Sequence, residues 1–132
     1  MNNITFEKFK EMVLYHQIVE WDDNKIVLDN GLIIAIEETE QDCCATARGN
    51  FSDVVLQAAI TSVTEPKYKS WNNGDTCGCS AVVKFLHNRN LICKANADAD
   101  AGNGGYYFSI ASFVVTWQNK EMVCHFVGSN DE

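Results

Sequence analysis

The tripeptide Asp29-Asn30-Gly31 limits what this chain can fold into more than any other stretch. It separates two short apolar runs, Ile26-Val27-Leu28 and Leu32-Ile33-Ile34-Ala35-Ile36. Asn and Gly accept positive φ, so a segment of this kind closes a tight antiparallel hairpin. Upstream, Ile18-Val19-Glu20-Trp21 reads as another strand, and Asp22-Asp23-Asn24-Lys25 as the turn that joins it. Three strands joined by short turns make an antiparallel meander.

The second half follows the same logic. Ala81 to Leu86 predicts a strand, His87-Asn88-Arg89-Asn90 a turn, and Leu91 to Ala95 the returning strand. Ala97 to Gly105 is small, acidic and glycine-rich, which predicts a loop. Tyr107 to Trp117 is long and apolar and predicts a central strand. Asn119-Lys120 then turns the chain into a last strand, Met122 to Val127, before a frayed tail. One segment carries helical spacing: Thr5 to His16, with Phe6, Phe9, Met12 and Val13 on one face and Asn3 or Thr5 as cap. Ser52 to Ala59 fits a short helix capped by Ser52, and Ile60 to Val63 a strand that ends before Pro66. Lys67 to Thr76 reads as a polar loop. The expected fold is α+β, an N-terminal helix followed by a mainly antiparallel β-sheet meander, in a single domain over residues 1–132.

Composition narrows the function classes. The formal net charge is −8, from 18 acidic and 10 basic residues. This argues against a grip on polymeric DNA or RNA, where clustered basic residues supply most of the affinity. A small anion needs only a few local donors and stays open. No apolar run reaches the roughly 20 residues of a membrane helix. The start, Met1-Asn2-Asn3-Ile4-Thr5, has neither a basic nor an apolar leader segment, so a cytoplasmic location is expected.

Six cysteines, at 43, 44, 77, 79, 93 and 124, are expected to be reduced, metal-free small hydrophobes. Cys77-Gly78-Cys79 places two thiols on one face of an extended segment, yet no second pair with zinc spacing follows. Cys43 and Cys44, if extended, face opposite ways and make a poor ligand pair. A nucleophilic Cys44 with Asp42 and one of His16, His87 or His125 lacks a glycine before Gly49 to open an oxyanion hole. No catalytic residue, metal or cofactor is therefore assigned.

The strongest chemistry lies elsewhere. Gly102-Asn103-Gly104-Gly105-Tyr106-Tyr107 offers flexible backbone amides next to aromatic faces. Such amides can cradle phosphate, and an aromatic face can stack a purine for about 1–3 kcal/mol. The loop lacks the Lys-Ser/Thr end of a P-loop. Arg48 is one of two arginines against eight lysines, and arginine suits forked phosphate contacts.

The succession of the Asp29-Asn30-Gly31 hairpin, Asp42-Cys43-Cys44-Ala45-Thr46-Ala47, the segment Ile60-Thr61-Ser62-Val63 and late Asn103-Gly104-Gly105-Tyr106-Tyr107 resembles a group of small phage proteins. That group is similar to the Thoeris anti-defence sponge proteins of the first type. The resemblance spans most of residues 17–117. It implies a homo-oligomer that holds a cyclic ADP-ribose isomer, made by a bacterial TIR-domain enzyme, without cleaving it. Pockets near subunit contacts, and cyclic oligonucleotides at separate sites in some members, are also implied. Residues and resemblance together give an expected ligand-binding set of Ala47, Arg48, Trp71, Asn96, Asn103, Gly104, Gly105 and Tyr106. In it Arg48 and the amides of 103–105 hold phosphates, while Tyr106 or Trp71 stacks on adenine. Two alternatives stay open: an enzyme that degrades such a signal, and a phage protein with a structural or partner-binding role and no small ligand.

Overall fold

In the computed structural model, which describes residues 2–131, the Asp29-Asn30-Gly31 hairpin is present. Gly31 adopts φ +87°, and the Leu28 amide donates to the Leu32 carbonyl at 2.8 Å. The strands it joins are β3 (Lys25–Leu28) and β4 (Ile33–Gln41). Before them come β1 (Asn2–Asn3), α1 (Phe6–Val13) and β2 (Ile18–Trp21). After them come β5 (Thr46–Ser52), β6 (Ser62–Val63), β7 (Lys67–Asn72), β8 (Cys77–His87) and β9 (Asn90–Asp100). β10 (Ser109–Trp117) and β11 (Lys120–Gly128) complete the chain.

The expected helix-then-meander does not survive. Strands make up 58% of the chain and helix 8%, arranged as two sheets. One sheet has the order β1-β11-β10-β4-β3-β2, and the other β5-β9-β8-β6, with β7 also paired to β8. The meander breaks at Asp42–Ala45. There a tight turn, closed by the Ala45 amide on the Asp42 carbonyl at 2.9 Å, sends β5 across to β9 instead of back along β4. The strand that returns beside β4 is β10, some seventy residues later. β1 joins the first sheet parallel to β11, the one parallel pairing among the described strands.

Three local expectations also change. Lys67–Asn72 is a strand, held to β8 by six register pairs. Ser52–Ala59 is not helical; it crosses between the sheets, and the Val55 amide donates to the Ile92 carbonyl. β9 runs on to Asp100, through residues that read as a loop. Along it Cys93, Ala95, Ala97 and Ala99 face the interior, while Lys94, Asn96, Asp98 and Asp100 face outward. This is strand alternation written in small residues.

The small inner face of β9 leaves room for large neighbours, as dense packing requires. Phe9, Phe51, Phe85, Phe113 and Phe126 are all fully buried. Phe9 projects from α1 between the sheets. Its ring stacks on Phe113 of β10 at 4.5 Å and meets Phe85 of β8 edge-on at 6.3 Å. Phe113 stacks in turn on Phe126 at 4.3 Å. The eight-residue helix is too short to be stable alone. Thr5 caps it, accepting from the Lys8 amide, and burial of Phe9 and Val13 fixes it in place.

Candidate functional site

The inward side of the second sheet is apolar, so its chemistry is carried by the outward side. Strand register places the outward residues in rows across β7, β8, β9 and β5. The first row is Trp71, Gly78, Asp100 and Thr46; the second is Lys69, Ser80, Asp98 and Arg48. The third is Lys67, Val82, Asn96 and Asn50; Lys84, Lys94 and Ser52 follow on β8, β9 and β5. Arg48, Lys67, Lys69, Lys84 and Lys94 thus share one face, half of the ten basic residues in an acidic chain.

A concavity of about 420 Å³ lies on this face, bordered by Arg48, Asn50, Ser80, Val82, Asn96 and Asp98. Beside it, in the first row, Trp71 lines a neighbouring cavity of about 370 Å³ with Cys77, Gly78 and Asp131. The indole lies across the backbone of Gly78, where a Cβ would come within 2.8 Å of Cζ2. Lying flat, it reaches the next strand but one, and its Nε1 donates to Asp98 Oδ1 at 2.8 Å. Ser80 Oγ donates to the same oxygen at 2.8 Å. Asp98 Oδ1 therefore accepts from two neutral donors. The guanidinium of Arg48, directly opposite it, has no ion-pair partner among the described residues. Asn96 is held from the side, its Nδ2 donating to Ser52 Oγ at 3.1 Å.

Arg48, Asn96 and Trp71 of the expected set therefore come together on one face. Ala47 does not: its side chain turns inward, 8% exposed, and its amide donates to Glu38 Oε2 at 2.8 Å. Asn103, Gly104 and Gly105 form a single 3-10 turn beyond the end of β9. The Gly104 amide donates to the Asp75 carbonyl and the Gly105 amide to the Gly102 carbonyl, so neither is free to cradle phosphate. Asp100 Oδ1 accepts from the Gly102 amide at 2.7 Å and anchors this loop to the sheet. Tyr106 projects into solvent, 87% exposed. Ser80, Asn50 and the lysine rows were missed. Their signal was the period-two polarity of 80–84 and 94–100.

The Asp42-Cys43-Cys44-Ala45 motif sits at one end of the sandwich. Its cysteines do not face opposite ways, because they occupy a turn and not a strand; both are exposed, and Ala45 is buried in their place. Cys43 takes φ +45°, a conformation that side chains disfavour. Its thiol sits against the Tyr107 hydroxyl, whose pKa is raised by that contact. Cys77 is half-buried and Cys79, Cys93 and Cys124 are buried. Burial pushes the Cys93 and Cys124 thiols up to about 12. Among the described residues no three His, Cys, Asp or Glu side chains gather as a metal site.

These environments separate the thiols by reactivity. With an aromatic disulfide reagent at pH 8, Cys43 and Cys44 are expected to react fast and Cys77 more slowly. Cys79, Cys93 and Cys124 should react about a thousandfold more slowly or worse, through opening of the fold. Rapid labelling of four or more thiols in native protein would contradict this arrangement.

Residues 11–114 match the family described as a domain of unknown function, DUF7448. The chain belongs to this family. The match runs from α1 into β10 and so includes every strand of the second sheet that carries the outward face. No curated protein and no solved structure matches the chain. No helix among the described residues is long and apolar enough to cross a membrane.

Proposed function

We propose that this protein is a phage anti-defence sponge that sequesters a cyclic ADP-ribose-type signalling nucleotide without cleaving it. The observation that carries the reading is the outward face of the second sheet. There Arg48 and Asn96 border one concavity of about 420 Å³, a size suited to a small-molecule ligand, and Trp71 shares their face from the neighbouring row. Each supplies a different part of nucleotide recognition. Arg48 offers a forked cation to phosphate, Asn96 an amide to a base or ribose edge, and Trp71 an aromatic wall to the purine. The resemblance through Asp42-Cys43-Cys44 and Asn103 to Tyr107 supports the same ligand class. In this reading the protein works in the host cytoplasm, engages no nucleic-acid polymer or membrane, and is not an enzyme. It also assembles as a homo-oligomer, for which the outward face of the first sheet offers Val27, Ile33, Ala35 and Val123. A monomeric mass in sedimentation at micromolar concentration would refute that assembly.

The experiment is to purify the protein from cells making an active TIR-domain enzyme, and to weigh it by native mass spectrometry. A bound nucleotide is expected, released intact by heating; release of a cleaved product would identify a hydrolase instead. Calorimetry with the purified nucleotide should show Arg48→Ala weakening binding about tenfold or more, since a charge-assisted contact is worth roughly 1.5–3 kcal/mol. Equal affinity in Arg48→Ala and Asn96→Ala would place the ligand elsewhere.

A further inference from the structure

The far end of the same sheet face holds three lysines that no described residue neutralises. Lys84 on β8 and Lys94 on β9 stand directly opposite each other. Lys67 on β7 sits one row away, opposite Val82. All three line a cavity of about 330 Å³ with Thr64, Glu65 and Val82. Like charges directly opposed on neighbouring strands repel and destabilise the pair. The carboxylate on the cavity wall is engaged elsewhere, because Glu65 Oε2 pairs with Lys10 Nζ at 2.7 Å. No acid pairs with Lys67, Lys84 or Lys94 among the described residues. The chain carries 18 acidic residues, so partners were not scarce. The fold holds a repulsion that a bound anion would remove.

We propose that Lys67, Lys84 and Lys94 form an anion site separate from the Arg48 end, and that it takes a di- or triphosphate group. The ammonium groups come from three adjacent strands, which span about 10 Å at the usual spacing of about 4.8 Å. That width fits a chain of phosphoryl groups better than a single phosphate. Lysine suits such a ligand, because its flexible stem delivers a point charge to whichever oxygen is presented. The site does not depend on a nucleotide at Arg48 and stands even if that end binds nothing.

Calorimetry at low ionic strength with inorganic pyrophosphate tests this. The parent protein should bind one equivalent. A Lys84→Gln/Lys94→Gln double variant should bind it about tenfold more weakly or worse. Lys120→Gln, an exposed lysine at the start of β11, should bind like the parent. Without anion the double variant should melt at or above the parent temperature, since the repulsion is gone. Pyrophosphate should then raise the melting temperature of the parent but not of the variant. Three results would overturn the proposal: no binding of pyrophosphate, an equal loss in Lys120→Gln, or a double variant that melts well below the parent without anion.

Discussion

Replacing Phe113 by alanine should cost about 3–5 kcal/mol of folding stability, the usual price of deleting a buried aromatic ring. Phe113 lies at the middle of a ring stack that ties three elements together. Phe9 of α1 packs on one side of it at 4.5 Å and Phe126 of β11 on the other at 4.3 Å. Alanine would leave both partners facing a void, and Phe9 is the chief hold that the sheets have on α1. A domain of this size holds about 5–15 kcal/mol in total, so most of the margin would be lost. Urea unfolding at 25 °C gives the measurement, with Phe6→Ala as the reference. Phe6 stacks on Phe9 at 5.7 Å but is only half-buried, so its loss should be clearly smaller. A loss below about 1 kcal/mol in Phe113→Ala would mean that the stack does not hold the helix to the first sheet.

The stack also shows where sequence reasoning stops. The helical spacing of Phe6, Phe9, Met12 and Val13 was legible, and so was the hairpin at Asp29-Asn30-Gly31, because both are local patterns. That Phe9 meets Phe113 and Phe85 is decided by pairings between distant strands, which local patterns do not encode. The same limit explains the fold correction. Nothing in Asp42-Cys43-Cys44-Ala45 says that the following strand joins a different sheet. The end of β9 was missed for another reason: Ala95, Ala97 and Ala99 alternate with polar residues as a strand does, but their small size and the nearby glycines resemble a loop. In the site, Arg48 stood out by its scarcity and Trp71 by its aromatic surface. That they share a face follows only from register, through Gly78, Asp98 and Ser80. The glycine run at 102–105 misled because flexible amides count as donors only when the fold leaves them free, and here it does not.

Gly78 is the residue through which fold and site depend on each other, and Gly78→Ala should damage both. A Cβ there would collide with the Ala99 carbonyl oxygen of β9 and press on the Trp71 indole at 2.8 Å. The carbonyl belongs to the sheet ladder and cannot turn aside, so β8 and β9 would have to part locally. Overpacking of this kind costs about 1–3 kcal/mol, and a backbone clash lies at the upper end. The indole can move, but only by lifting off the sheet and giving up its bond to Asp98 Oδ1. Asp98 would then face Arg48 with a freed acceptor, and the cation would turn from an incoming anion towards the carboxylate. Three readouts should therefore move together in Gly78→Ala. The urea midpoint should fall, tryptophan emission should shift to the red, and nucleotide affinity should drop at least as far as in Trp71→Ala. The emission change should vanish in a Trp71→Phe background, which separates Trp71 from Trp21 and Trp117. If stability falls while emission and affinity stay unchanged, Gly78 matters only to the sheet, and Trp71 does not form the wall of the site.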